Sequence, residues 1–204
     1  MVIKAIIFDV GGVIIDFSEK MYINWLSKKE KIDKIELTNF LNNYINKMES
    51  GSLLLKDVGK AFTKKFHKPE SSFRWIEGFR ENAKANEEVV NLMKSLSNKY
   101  DIGIITNVSY SRYKEFRKIL FDKLVKEINI KTIVASCYVK TVKPDEKIYE
   151  IALKRLEVQP DEAVFIDNLK ENVEGAAKVG IHAIQYTDYE KLLEDLVKLD
   201  VELP

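Results

Sequence analysis

The sequence predicts an α/β protein: a doubly wound, parallel, five-stranded sheet with a small all-helical segment inserted after the first strand. Two observations carry this expectation. From Glu87 onward, short apolar runs of strand length alternate with helical spacing, as a parallel sheet with crossover helices requires. Between Phe17 and Ala85 the strand pattern vanishes, and apolar residues recur only at helical intervals. The expected division is a core of residues 1–16 and 86–204 and a helical insert of residues 17–85.

The first strand is the run Ala5-Ile6-Ile7-Phe8, which delivers Asp9 into Val10-Gly11-Gly12-Val13, a turn flexible enough for a ligand to approach the backbone. In the insert, Leu37, Phe40, Leu41, Tyr44, Ile45 and Met48 fit one amphipathic helix. Gly51 is placed to stop it, Ser52 to cap the next, and Leu55, Val58 and Phe62 form the apolar face of that next helix. Pro69 precedes a further helix marked by Phe73, Ile76 and Phe79. Beyond the insert, Val89, Leu92, Met93 and Leu96 mark a helix, and residues 102–105 a strand ending in Thr106-Asn107. Tyr113, Phe116, Leu120 and Leu124 give the next helix, residues 132–135 a strand, and Ile148, Ile151 and Ala152 a helix introduced by Pro144. Residues 163–166 form a strand ending in Asp167. Val173, Ala176 and Ala177 then mark a helix closed by Gly180, residues 181–184 a fifth strand, and Leu192, Leu196 and Leu199 a last helix.

Composition narrows the partners. With 33 basic and 32 acidic residues the formal charge is +1, so no global field draws the chain to nucleic acid or to a membrane surface. One cysteine, Cys137, excludes an intramolecular disulfide and a thiolate metal cluster, and its apolar neighbours predict a buried thiol. His67 and His182 lack metal-ligand spacing. No uncharged apolar run reaches signal-peptide or membrane-spanning length, so a soluble cytoplasmic protein is expected.

Three strands end in polar residues that a purely structural sheet does not need: Asp9, Thr106-Asn107 and Asp167-Asn168. The carboxyl ends of parallel strands share one edge, so these groups can converge on one crevice. Lys143 joins them, held extended by the proline that follows it. Singly, each reads as a turn former or helix cap, and Ser109 or Ser111 as a plain N-cap.

In their order, these segments resemble the motifs of the haloacid dehalogenase-like (HAD) hydrolase superfamily. Phe8-Asp9-Val10-Gly11-Gly12-Val13 is similar to the first motif and Ile105-Thr106-Asn107 to the second. Lys143-Pro144-Asp145 with Ile148-Tyr149 is similar to the third. Phe165-Ile166-Asp167-Asn168 with Asn172, Gly175, Ala176, Ala177 and Gly180 is similar to the fourth. The insert stands where the C1-capped branch carries its helical cap. The resemblance implies a Rossmann-like core and a Mg²⁺-dependent phosphatase acting on a small phosphorylated metabolite, with a sugar phosphate among the candidates, through an aspartyl-phosphate. It makes Asp9 the nucleophile, and it gives Mg²⁺ to Asp9, the Gly11 carbonyl, Asp167 and Asn168. It gives the phosphoryl oxygens to Thr106, Asn107 and Lys143.

Two positions depart from the family pattern. Gly11 stands where such phosphatases usually carry a second Asp as general acid, help typically worth ~10² to 10⁴ in rate, so slower turnover is expected. Some sugar-phosphate phosphatases of the branch also carry Gly there, and Asp16 or Glu49 could substitute. Asn168 replaces an acid, which predicts weaker metal binding. A non-catalytic phosphate-binding or regulatory protein is the alternative. A 2-haloacid dehalogenase ranks below it, because no arginine precedes Arg74. Glu49-Ser50-Gly51 resembles the specificity loop of such caps, whereas Tyr22 and Trp25 read as packing and Arg80 as a surface ion pair. Monomer and homodimer both remain open.

Overall fold

The computed structural model describes residues 2–118 and 128–203. Five strands form one sheet in the order β5-β4-β1-β6-β7, with every neighbouring pair parallel. They are β1 (Ala5–Phe8), β4 (Asp101–Thr106), β5 (Ile130–Ala135), β6 (Ala163–Asp167) and β7 (His182–Gln185). The central β1 is fully buried, which explains its continuous apolar run. Its side chains alternate between two layers. Ile6 and Phe8 pack with Val89, Leu92 and Leu96 on one face, and Ala5 and Ile7 with Ile148, Tyr149 and Leu156 on the other. Phe8 lies level with Ile104 on one neighbour and Ile166 on the other. Asp9, Thr106 and Asp167 therefore leave the sheet at one edge, where the chain, having built β4 and β5 on one side of β1, crosses to build β6 on the other.

A two-stranded antiparallel ribbon, β2 (Ile15–Asp16) with β3 (Lys84–Ala85), closes the base of the helical segment. The insert is thus not wholly helical, since its last residues pair with the chain that leads into it. Its helices are Glu19–Glu30, Lys34–Asn42, Ile45–Glu49, Leu55–Phe66 and Trp75–Asn82, with a 3-10 turn at Glu70–Phe73. The single helix expected over residues 37–48 is two, because Asn43 and Tyr44 take i→i−3 bonds to Phe40 and Leu41, and the Asn43 amide donates to Asn39 O at 2.9 Å. The apolar stripe runs on across the break, which is why spacing alone did not reveal it. Gly51 does end the second piece at φ +66°. Ser52 is not the next cap: its hydroxyl donates back to Lys47 O at 3.0 Å, and the extended Leu54 starts the helix instead. The helix expected across Phe73 and Phe79 is interrupted at Arg74, whose left-handed backbone is held by side-chain contacts to Glu30 at 2.5 Å and Glu77 at 2.7 Å.

Rings of Tyr22, Phe40, Phe62, Phe73 and Trp75 form the apolar centre of this segment, with Tyr22 against Trp75 at 4.8 Å and Phe62 against Phe73 at 5.3 Å. Tyr22 also donates to Phe73 O, Trp25 Nε1 donates to Glu81, and Arg80 pairs with Glu115, as packing and surface roles require. Leu120 and Leu124 lie outside the described residues. A short helix not anticipated from the sequence, Ser136–Val139, follows β5 and buries Cys137, whose thiol burial pushes up to about 11. Among the described residues no helix is long and apolar enough to cross a membrane.

Candidate active site

The Lys143 ammonium is the centre of the polar edge. It lies 2.5 Å from Asp9 Oδ1, 2.6 Å from Asp167 Oδ2 and 3.2 Å from the carbonyl of Ile105, and its side chain is 1% exposed. Burial alone would lower the Lys143 pKa, but the flanking carboxylates raise it above its ordinary value, so the charge is kept. Burial pushes Asp9 up to about 7, against the pull of Lys143 and with the repulsion of Asp167. With both carboxylates ionised, two carboxylates against one ammonium would leave one excess negative charge.

Each partner is held by its own support. Asn107 binds the Lys143 backbone on both sides, accepting from its N–H at 2.8 Å and donating to its C=O at 3.0 Å. Asn107 thus positions Lys143 with its carbonyl oxygen and one amide N–H, while the amide's second N–H is not used on Lys143 and the residue lines the cavity. Asp167 is fully enclosed, accepting from Leu169 N at 2.8 Å and Asn172 Nδ2 at 3.0 Å besides Lys143. It is not among the residues lining the cavity, and it orients the ammonium through its Oδ2 at 2.6 Å.

Above these groups lies a cavity of about 180 Å³, walled by Asp9, Gly11, Thr106, Asn107, Lys143 and Asn168 on the sheet side. Phe17, Phe79 and Phe116 give it apolar walls, and Glu19, Glu49 and Arg112 a polar one. The structure thus brings together Asp9, Gly11, Thr106, Asn107, Lys143 and Asn168, with Asp167 directly beneath.

The residues fit Mg²⁺. Asn168 Oδ1 is buried and accepts no hydrogen bond, a vacant oxygen donor of the kind a hard cation takes. Gly12, at φ +82°, makes room for that side chain, because a Cβ there would stand 2.5 Å from Asn168 Nδ2. Asp9 and Gly11 line the same wall, where a carboxylate and a backbone carbonyl could add further hard oxygens. Among the described residues no cluster of three His, Cys, Asp or Glu forms a metal site.

Sequence reasoning missed three residues. Arg112 is buried, stacks 3.4 Å over the Trp75 ring and pairs with Glu19 at 2.9 Å. Inside a polar stretch of helix it reads as a surface residue, and Glu19, one residue after the Ser18 N-cap, reads as an ordinary first-turn acid. Ser136 accepts from Val108 N at 2.9 Å and donates to Glu49 O at 2.6 Å, tying the helix Ile45–Glu49 to the sheet edge. Its signal was the one that found the others, a small polar residue directly after a strand.

The fold and this edge define a hydrolase of the haloacid dehalogenase-like type, and the haloacid dehalogenase-like hydrolase family profile matches residues 3–180. The chain belongs to that family. It is 26% identical to a phosphorylated carbohydrates phosphatase of Thermotoga maritima over 89% of this chain and 83% of that protein. It is 40% identical to mouse acyl-CoA dehydrogenase family member 10 over 33% of this chain, but spans only 6% of that protein's length. A HAD family enzyme of Bacteroides thetaiotaomicron, solved with magnesium and inorganic phosphate, superposes at TM-score 0.80 and 21% identity over 93% of this chain and 98% of that one, a likeness of fold.

Proposed function

We propose that the protein is a Mg²⁺-dependent phosphatase of a small phosphomonoester. The observation that carries this reading is Lys143, buried between Asp9 and Asp167 at the floor of a cavity. Asp9 is the nucleophile, attacking phosphorus in line with the departing alcohol to form an aspartyl-phosphate that water then hydrolyses. Lys143 neutralises charge on the equatorial oxygens and orients Asp9, and Thr106 binds a phosphoryl oxygen. Asp9, the Gly11 carbonyl and Asn168, with the Asp167 charge nearby, would hold Mg²⁺, which would offset the negative charge of the phosphate.

The family and the Thermotoga phosphatase support this reading, and the cavity limits the substrate. Its polar floor and mixed polar and apolar walls suit a phosphate carrying an organic group. Residues 17–85 act as the cap that closes over the phosphate and excludes water. The balanced charge and single buried thiol suit a cytoplasmic setting.

The test is phosphate release from a panel of small phosphomonoesters, with and without Mg²⁺, by wild type and Asp9→Asn. Release that needs both Asp9 and Mg²⁺ is expected. No Asp9-dependent release from any ester would overturn the reading in favour of a non-catalytic phosphate binder, and halide release from a 2-chloroacid would overturn it in favour of a dehalogenase.

A further inference from the structure

Gly11 leaves the cavity without an acid beside the nucleophile, yet a departing alkoxide needs a proton. Besides Asp9, two acids wall the cavity, Glu19 and Glu49, both contributed by the helical segment. They differ in one respect: Glu19 is ion-paired with the buried Arg112 at 2.9 Å, whereas Glu49 has no ion pair among the described residues. Resting on the phosphatase reading, we infer that Glu49 is the general acid and base of this site, in place of the side chain absent at Gly11.

Position and charge support the assignment. Glu49 ends the helix Ile45–Glu49, and its carbonyl is fixed to the sheet edge by the Ser136 hydroxyl at 2.6 Å. Lys140 fastens the following turn through Gly51 O at 3.0 Å. The segment bearing the acid is thus seated on the sheet edge that bears Asp9 and Lys143. Four charged groups act on the Glu49 carboxyl: Glu19 and Asp9 favour the neutral form, and Arg112 and Lys143 the ionised one. The short helix packed beneath it adds only Cys137 and Tyr138 as titratable groups. Burial is the largest influence, and with the Glu19 repulsion it pushes Glu49 up to about 8. Glu19, held by Arg112 at 2.9 Å, opposes ionisation of Glu49, and Arg112 offsets part of that effect.

The proton balance closes over two steps. As the Asp9 oxygen bonds to phosphorus and the ester P–O bond breaks, the Glu49 proton passes to the leaving oxygen and releases a neutral alcohol. Water then attacks the aspartyl-phosphate and gives a proton to the Glu49 carboxylate, and the Asp9–phosphorus bond breaks to release phosphate.

The experiment compares wild type, Glu49→Gln and Glu49→Asp on an alkyl phosphate and on p-nitrophenyl phosphate, whose leaving group departs without a proton. A donor role predicts a kcat/KM loss of ~10²-fold or more on the alkyl ester in Glu49→Gln and a loss of less than about threefold on the aryl ester. Glu49→Asp should keep part of the alkyl activity. Adding Gly11→Asp to Glu49→Gln should restore it, since a Cβ at Gly11 meets nothing closer than Phe17 O at 3.5 Å. Equal losses on both esters, or none, would overturn the inference while wild-type release leaves the phosphatase reading standing. If wild type shows no Asp9-dependent release, both fall together.

Discussion

The side-chain amide of Asn107 grips the backbone of Lys143 from both sides, across 36 residues of chain. The site cation is thus fixed at its backbone by one strand end and at its ammonium by two others.

Asn107→Ala leaves the Lys143 N–H and C=O without these partners, and a buried polar group without a partner costs ~1–3 kcal/mol. Urea unfolding should show a loss of that order, and phosphate release should fall with it because the ammonium loses its register. A variant as stable and as active as wild type would remove Asn107 from the site.

Lys143→Met leaves Asp9 and Asp167 buried and facing each other with no cation between them. Breaking a buried pair in this way costs ~3–5 kcal/mol. The loss should be larger at pH 7.5 than at pH 5, because mutual repulsion raises the carboxyl pKa and a proton bound at the lower pH relieves it. Denaturation of the metal-free variant at both pH values checks the order.

Gly12→Ala strains a backbone at φ +82° and drives a methyl group to 2.5 Å from the Asn168 amide. Left-handed geometry alone costs roughly 1–2 kcal/mol. Displacing Asn168 should also raise the Mg²⁺ concentration at half-maximal protection against unfolding, by several-fold on the scale of outer-shell ligand losses, ~10-fold. Unchanged metal affinity would mean that Asn168 is no ligand.

Glu49 gives a stability signature independent of turnover. Its folded pKa of about 8 exceeds the ordinary value of 4.5, so between those values the folded chain holds a proton that the unfolded chain has lost. Stability of the metal-free protein should therefore fall as pH rises from 4.5 toward 8, by at most about 1.4 kcal/mol per pH unit from this group. Glu49→Gln should flatten that slope in chemical denaturation series, and an identical slope in both proteins would show that Glu49 titrates as an exposed acid does.

The sheet was legible because buried parallel strands are nearly pure apolar runs, and each of the five expected strands is present within a residue or two of its place. The convergence of Asp9, Thr106-Asn107 and Asp167-Asn168 on one edge was legible for a related reason, since a polar residue directly after such a run stands out, and Lys143 was legible through the proline that follows it. The helical segment was less legible. Apolar spacing continues through the turn at Asn43-Tyr44 and past Arg74, so periodicity cannot see where backbone hydrogen bonding changes. The grip of Asn107 on Lys143 was hidden because a residue type names the bonds it can make, while tertiary structure decides which backbone receives them. Arg112 and Glu19 were hidden because charges on a helix look solvated until the fold stacks one of them on Trp75.

The β2–β3 ribbon carries the chain out of the sheet at Ile15 and back in at its paired neighbour, Ala85. Everything between enters and leaves through adjacent points, so an exchange of that stretch between relatives by recombination would disturb no strand of the main sheet. Asp9, Thr106 and Lys143 would stay behind, while Glu19 and Glu49 would travel with the exchanged piece. In such a lineage, the choice of leaving group and the proton that releases it would be inherited together.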